Sequence, residues 1–142
     1  MLTLQQNENA VRRCVDLFNQ RTMEWVDTCF ADKAEWIELP IPGISRGRQG
    51  NRAFMRESAE RTLKLYPDRQ MSIRNLVAQG DQVVLELDWW GTTAAAVGPL
   101  SVGAQVRFRV ASFFTLVDGL IVRQTDYCIP IPGEAAGQWI AV

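Results

Sequence analysis

The spacing of apolar residues changes from helical to strand-like near Pro67, and this change limits the possible folds more than any other feature. Val11, Cys14, Val15 and Phe18 recur at helical spacing. The sequence therefore predicts a first helix over about residues 5–20. Beyond Pro67 apolar and polar residues alternate, which is typical of strands. Helices followed by strands predict an α+β domain whose helices cover one face of a curved sheet.

The remaining elements follow from periodicity, capping residues and turn residues. Met23, Val26 and Phe30 predict a short second helix, and a short strand follows over about residues 34–38, where a Pro-rich segment (39–43) ends it. A third helix begins at the cap residue Asn51 and ends at Pro67. Strands are predicted at about 70–78, 82–91, 104–117 and 120–128. Gly80-Asp81 and Asp118-Gly119 lie between strands, where tight hairpin turns belong.

The composition excludes several classes of function. We expect a single domain over residues 1–142, large enough to enclose a cavity. The net charge of −1 provides no basic surface for nucleic acid or an anionic membrane. No apolar run reaches the roughly 20 residues of a membrane-spanning helix. The N-terminal segment lacks a signal-peptide pattern, and three separated cysteines suit a reducing compartment, so we expect a cytoplasmic protein.

The chain contains no histidine. A Ser–His–Asp triad, a Cys–His pair and a His-ligated zinc are therefore excluded. Acid–base chemistry would have to use carboxylates, Tyr, Cys or Lys. Cys14 and Cys128 have no basic partner in the sequence pattern, so we interpret them as small buried apolar residues. We expect neither a metal ion nor a cofactor.

Asp126 falls on the apolar side of a predicted strand, which is unusual for a carboxylate. Charged residues on the predicted strands share one face, which should be the outer face. They are Glu86, Asp88, Arg107, Arg109 and Arg123. Alternation then directs one row of the last strand inward, namely Leu120, Val122, Gln124, Asp126 and Cys128. A carboxylate there is costly unless it is paired, hydrogen-bonded or protonated, and such residues often mark a functional site.

Six apolar residues fall on rows that should face the interior with Asp126. They are Trp36, Phe54, Leu87, Trp89, Phe108 and Val110. Such residues form either ordinary core or the wall of a pocket. An apolar pocket with a few polar groups suits a small hydrophobic molecule, so we expect these six residues to bind substrate.

Three local motifs resemble those of the nuclear-transport-factor-2-like fold. They are Phe-Ala-Asp-Lys-Ala-Glu-Trp at 30–36, Gly-Arg-Gln-Gly at 47–50 and Phe-Phe-Thr-Leu-Val-Asp-Gly-Leu-Ile at 113–121. The resemblance extends over nearly all of residues 10–130. It implies a cone-shaped mixed sheet wrapped around N-terminal helices with an internal pocket. It also implies a SnoaL-like domain, the group that includes polyketide cyclases, ketosteroid isomerases and limonene-1,2-epoxide hydrolases. Many members pair through the outer face of the sheet, so a homodimer is implied.

The stretches Leu-Pro-Ile-Pro at 39–42 and Thr-Asp-Tyr at 125–127 resemble those of limonene-1,2-epoxide hydrolases. The resemblance places Asp126 on that family's water-activating aspartate. The family's Arg-x-Asp pair falls on Leu87 and Trp89, and its water-binding Tyr and Asn fall on Trp36 and Glu38. Glu38 would therefore share the cavity with Asp126. Two carboxylates in one apolar cavity cannot both ionise cheaply, so they would share a proton.

These residues predict a cofactor-free acid–base enzyme of isomerase, cyclase, dehydratase or hydrolase type. Asp126 would be the general base and Glu38 its proton-sharing partner. Two alternatives stay open. In the first, the protein binds a small molecule without turnover, and Asp126 only hydrogen-bonds the ligand. In the second, the protein is a dimerisation module whose interior Trp36 and Trp89 fill. A cavity of about 300 Å³ or more beside Asp126 would favour ligand binding.

Overall fold

The sheet places its first and last strands side by side. The computed structural model describes residues 3–41 and 44–131. Its strands are β1 (Phe30–Glu38), β2 (Arg48–Gly50), β3 (Gln70–Gln79), β4 (Gln82–Thr92), β5 (Gln105–Val117) and β6 (Leu120–Pro130). Their order across the sheet is β2-β1-β6-β5-β4-β3. β1 and β6 run parallel, and the other neighbouring strands run antiparallel.

The first and third helices begin at residues whose side chains cap them, whereas the second has no side-chain cap. The helices are α1 (Leu4–Asn19), α2 (Glu24–Cys29) and α3 (Arg52–Leu65). The hydroxyl of Thr3 accepts a hydrogen bond from the amide of Gln6 at 3.1 Å, and the Gln6 side chain accepts one from the Thr3 amide at 2.8 Å. The Asn51 side chain accepts a bond from the Phe54 amide at 3.0 Å, so it caps α3 as predicted. Within the described ranges no helix is long and apolar enough to cross a membrane.

The predicted α+β class is confirmed, with two differences at the start of the sheet. β1 begins at Phe30, several residues before the short strand that the sequence predicts. β2 was not predicted, because its three residues are too few to show alternation. Both tight turns are present, with left-handed backbone at Gly80, Asp118 and Gly119 (φ 59°, 50° and 80°). Residues 42–43 of the Pro-rich segment lie outside the described residues.

The core lies between α1 and the inner face of the sheet. Apolar side chains from α1 pack against inward side chains of β4 and β5. They include Val11, Val15, Phe18, Val83, Leu85, Leu87, Val110, Phe114 and Leu116. Full burial of each large apolar side chain contributes about 1.5–3 kcal/mol, so this layer supplies much of the stability.

The charged row of the sheet faces outward, as its spacing predicts. Asp88 accepts a bond from Arg109 at 2.7 Å and one from Arg74 at 3.0 Å. Glu86 lies 3.7 Å from Arg74. These are cross-strand ion pairs on a solvated surface, and each contributes a few tenths of a kcal/mol to about 1 kcal/mol.

A register shift in the β5–β6 hairpin corrects one part of the predicted inward row. Thr115 pairs with Arg123 but Leu116 pairs with Ile121, so Val122 is the extra residue on β6. Because an extra residue reverses alternation, Ile121 points inward with 1% of its surface exposed. Leu120 points outward with 39% exposed, and its predicted inward position is wrong. The row from Gln124 to Cys128 lies beyond the shift and keeps its predicted direction.

Candidate active site

Asp126 points into the interior and accepts hydrogen bonds from three side chains. Ser112 donates to Oδ1 at 2.6 Å, and Trp36 donates through its indole nitrogen to Oδ2 at 2.9 Å. The amide nitrogen of Gln124 lies 2.8 Å from Oδ1 and 3.0 Å from Oδ2. Only 7% of Asp126 is exposed. Donors from three adjoining strands therefore fix the orientation of one buried carboxylate.

Burial raises the pKa of Asp126 above its ordinary value. Removal from water disfavours the charged carboxylate, whereas the bonds from Gln124, Ser112 and Trp36 favour it. Arg48 acts in the same direction as these donors. Because the effect of burial is the larger one, Asp126 holds its proton to a higher pH than an exposed aspartate does.

Glu38 lies directly opposite Asp126 in the parallel register of β1 and β6. Its hydrogen-bond partner is Arg48, whose Nη2 and Nε lie 2.7 Å and 2.9 Å from Oε1. Burial raises the pKa of Glu38, and the charge of Asp126 raises it further, while Arg48 opposes both. The two predicted carboxylates are thus neighbours, but Glu38 is bonded to an arginine instead of forming the predicted proton-sharing pair.

Arg48 is a site residue that the sequence did not single out. Its guanidinium lies 5.0 Å from the centre of the Trp36 ring and beside Glu38, at the cavity wall. The preceding residue, Gly47, has a left-handed φ of 68°. A Cβ atom at Gly47 would lie 2.3 Å from the Glu38 carbonyl oxygen, so only glycine lets β2 approach β1 this closely. The sequence pattern indicates a solvated face for residues 46–48, but the pairing of β2 with β1 brings Arg48 to Glu38 and the cavity wall.

A cavity of about 390 Å³ opens beside Asp126, between the helices and the sheet. Its wall includes Trp36, Leu87, Trp89, Phe108 and Val110 among the residues predicted to bind substrate. Phe54 is the exception, because it does not line the cavity. It packs against Trp36 instead, with 6.1 Å between the two ring centres. Trp36 and Trp89 therefore border the interior space without filling it, which argues against the purely structural alternative.

The two cavity cysteines are poor nucleophiles. Burial raises the pKa of the Cys128 thiol, and the charges of Asp126 and Glu38 raise it further. A hydrogen bond with Cys29 and burial raise the pKa of Cys14. Both thiols stay protonated at neutral pH, as expected for small apolar core residues. In residues 3–41 and 44–131 no cluster of three or more Cys, Asp or Glu side chains could hold a metal ion.

Comparison with known protein families identifies the family of this chain. A family model described as a SnoaL-like domain matches residues 11–124, which is most of the chain. The chain belongs to the SnoaL-like family. A comparison of this SnoaL-like chain with curated proteins finds no match.

Solved structures share the SnoaL-like fold at low sequence identity. IdmH from Streptomyces antibioticus, a candidate polyketide cyclase, has a TM-score of 0.77 at 17% identity, over 96% of this chain and 99% of that chain. A SnoaL-like polyketide cyclase from Agrobacterium tumefaciens has a TM-score of 0.70 at 17% identity, over 100% of both chains. A candidate ketosteroid isomerase from Kribbella flavida has a TM-score of 0.61 at 23% identity, over 92% and 85%. These similarities establish the nuclear-transport-factor-2-like fold of this SnoaL-like protein.

Proposed function

We propose that this protein is a cofactor-free acid–base enzyme that acts on a small, mainly apolar molecule. The observation that carries the proposal is a buried carboxylate, Asp126, facing a cavity of about 390 Å³ with mainly apolar walls. A general base works best when its pKa approaches the working pH, and burial moves the pKa of Asp126 in that direction.

Asp126 would remove a proton from a carbon next to a carbonyl group and return it at another atom. The electron pair of the broken C–H bond would move onto the carbonyl oxygen and form an enolate. Enolates lead to isomerisation, aldol-type cyclisation or dehydration, which are three of the four reaction types predicted from the sequence, the fourth being hydrolysis. Trp36, Ser112 and Gln124 would hold the carboxylate in position during both transfers.

Arg48 would stabilise the negative charge that develops on the substrate oxygen. Its guanidinium lies at the cavity wall, and preorganised donors aimed at developing charge supply a large part of many rate enhancements. Glu38 would then position Arg48 through the bonds to Oε1. We assign Glu38 this positioning role in place of the proton sharing predicted from the sequence.

The test is the rate at which the protein exchanges acidic C–H protons for deuterium in enolisable ketones and diketones, followed by NMR. We expect Asp126→Asn to slow the exchange by at least about a hundredfold, because a base contributes 10²–10⁴-fold. Asp16→Asn removes an exposed carboxylate from α1 and serves as the matched control. Equal rates for both variants and the parent would refute the proposal.

A second function has one observation in its favour. Both oxygens of Asp126 already accept hydrogen bonds, which suits a group that orders a binding site without taking up a proton. In that case the protein would bind a small molecule without turnover. Ligand affinity that survives in Asp126→Asn, together with no exchange activity in the parent, would support this alternative.

A further inference from the structure

Arg69 is a fully buried arginine that has no carboxylate partner. It directly precedes β3, lines the cavity and has 0% of its surface exposed. Its Nη1 donates to the backbone oxygen of Phe18 at 2.8 Å, and its guanidinium lies 3.7 Å from the centre of the Phe18 ring. In the described part of the chain no carboxylate lies within ion-pair distance of it. An unpaired buried charge is costly, so it calls for an explanation.

The unsatisfied donors cluster at this end of the cavity. Throughout the described ranges, every buried side-chain nitrogen or oxygen without a hydrogen-bond partner belongs to Arg69 (Nε and Nη2) or Trp25 (Nε1). Both residues line the cavity and contact Phe18, whose ring centre lies 5.4 Å from that of Trp25. Native structures pair nearly all buried polar groups, and exceptions often indicate an unfilled site.

Arg69 stays charged at neutral pH. Burial and the nearby charge of Arg21 lower its pKa to about 10, which is still well above neutrality. Arg21 itself is exposed and donates to the Arg69 backbone oxygen at 3.4 Å, so it adds positive charge and not a counter-charge. A negative group in the cavity would therefore be attracted to this end.

We propose that Arg69 binds a carboxylate on the ligand of this cavity. Nε and Nη2 form one edge of the guanidinium plane, and that edge matches the two oxygens of a carboxylate. Both nitrogens are shielded from the cavity, so a bound carboxylate displaces the side chains that cover them. This end of the cavity then recognises a negative charge, while its apolar wall holds the rest of the molecule.

The inference rests on the proposed function and names its substrate class, an apolar carboxylic acid. Arg69 adjoins β3, whereas Asp126 lies on β6, and β4 and β5 separate these strands. Three strand spacings of about 4.8 Å give about 14 Å along the sheet. The reacting carbon therefore lies well away from the carboxylate, with Leu87, Trp89 and Phe108 along the apolar wall.

The test compares two probes of nearly equal shape, naphthaleneacetate and naphthaleneacetamide, by calorimetric titration of the full-length protein. We expect the parent to bind the acid at least about tenfold more tightly than the amide, since bonds between charged groups are the strong ones. Arg69→Met should abolish this preference and leave the amide affinity within about threefold. Arg69→Lys keeps the charge but lacks the planar guanidinium, so it should retain only part of the preference for the acid. Thermal unfolding checks that each variant is folded.

Two further variants test whether Arg69 is the source of the preference for the acid over the amide. Arg61→Met removes the exposed cavity arginine that contacts Ser58, and it should keep the preference for the acid. Asp126→Asn should also keep it, because binding at Arg69 does not require turnover. The inference is overturned if the parent binds the acid no more tightly than the amide, including failure to bind either, or if Arg69→Met keeps the preference. Loss of exchange activity in Asp126→Asn is judged separately, so either proposal can fail alone.

Discussion

At Asp126, burial and hydrogen bonding act on the same carboxylate in opposite directions. Burial favours the protonated form, and the donors Ser112, Trp36 and Gln124 favour the charged form. The pKa of Asp126 is raised because burial has the larger effect. A base of this kind is tuned by the number of donors around it, because each donor that is removed leaves burial less opposed.

Ser112→Ala should therefore raise the pKa of Asp126 further, because it removes a hydrogen bond that favours the charged carboxylate. The acidic limb of the pH–rate profile should move to higher pH by the same amount. Carboxyl-carbon NMR of Asp126 measures the shift directly. Ser72→Ala, which removes an exposed hydroxyl on β3, is the control. It should change neither the pKa of Asp126 nor the pH–rate profile. A lower pKa in Ser112→Ala would contradict the balance described above.

At the scale of elements, the short strand β2 decides what Glu38 does. β2 pairs with β1 and brings Arg48 next to Glu38. The close approach depends on Gly47, which has both a left-handed backbone and no room for a Cβ atom. An element of three residues thus turns a predicted carboxylate pair into an ion pair.

Comparing Gly47→Ala with Gly98→Ala should separate the cost of the left-handed backbone from the cost of placing a Cβ atom against β1. Both glycines have left-handed φ values, 68° and 54°, but a Cβ atom at Gly98 meets nothing within 4 Å. The backbone cost of about 1 kcal/mol is common to both, so Gly47→Ala should lose about 1–3 kcal/mol more. Urea unfolding measures the difference. Equal losses would show that β2 can move without cost.

Local patterns predicted the strands other than β2, and the inward direction of Asp126, but not the partners of the charged groups. The direction of Asp126 followed from alternation within one strand, which is a property of neighbouring residues. Alternation failed at Leu120 because a bulge depends on the pairing with β5. Arg48 and Arg69 owe their importance to contacts across the fold, with Glu38 and with Phe18. Such contacts leave no periodic signal in the sequence.

At the scale of the whole molecule, the outer face of the sheet carries exposed apolar side chains. Phe113 and Tyr127 pack edge to face, with 5.5 Å between their ring centres. Nearly half of each residue's surface is exposed, 46% for Phe113 and 45% for Tyr127. Ile129 extends the same face of β6 with 61% of its surface exposed. An apolar patch of this kind often marks an interface, and we propose that the homodimer implied by the resemblance forms here.

We expect Phe113→Lys to convert a dimer into a monomer, because a lysine at the centre of an apolar interface would bury an unpaired charge. Sedimentation velocity measures the change. Val102→Lys is the matched control, since Val102 is 66% exposed on the connection between β4 and β5, away from this face. A parent protein that sediments as a monomer, or a variant that stays dimeric, would rule out this interface.

The pairing of β1 with β6 has a consequence for how the candidate site forms as the chain folds. Trp36 and Asp126 are 90 residues apart in the chain, yet they share a hydrogen bond in the interior. Contacts between such distant segments form late, because a long loop must close first. The hairpin of β5 and β6 already brings Ser112 and Gln124 to Asp126, but the Trp36 donor reaches the carboxylate only when the last strand docks beside the first. During synthesis, the proposed chemistry could therefore begin only after β6 has left the ribosome.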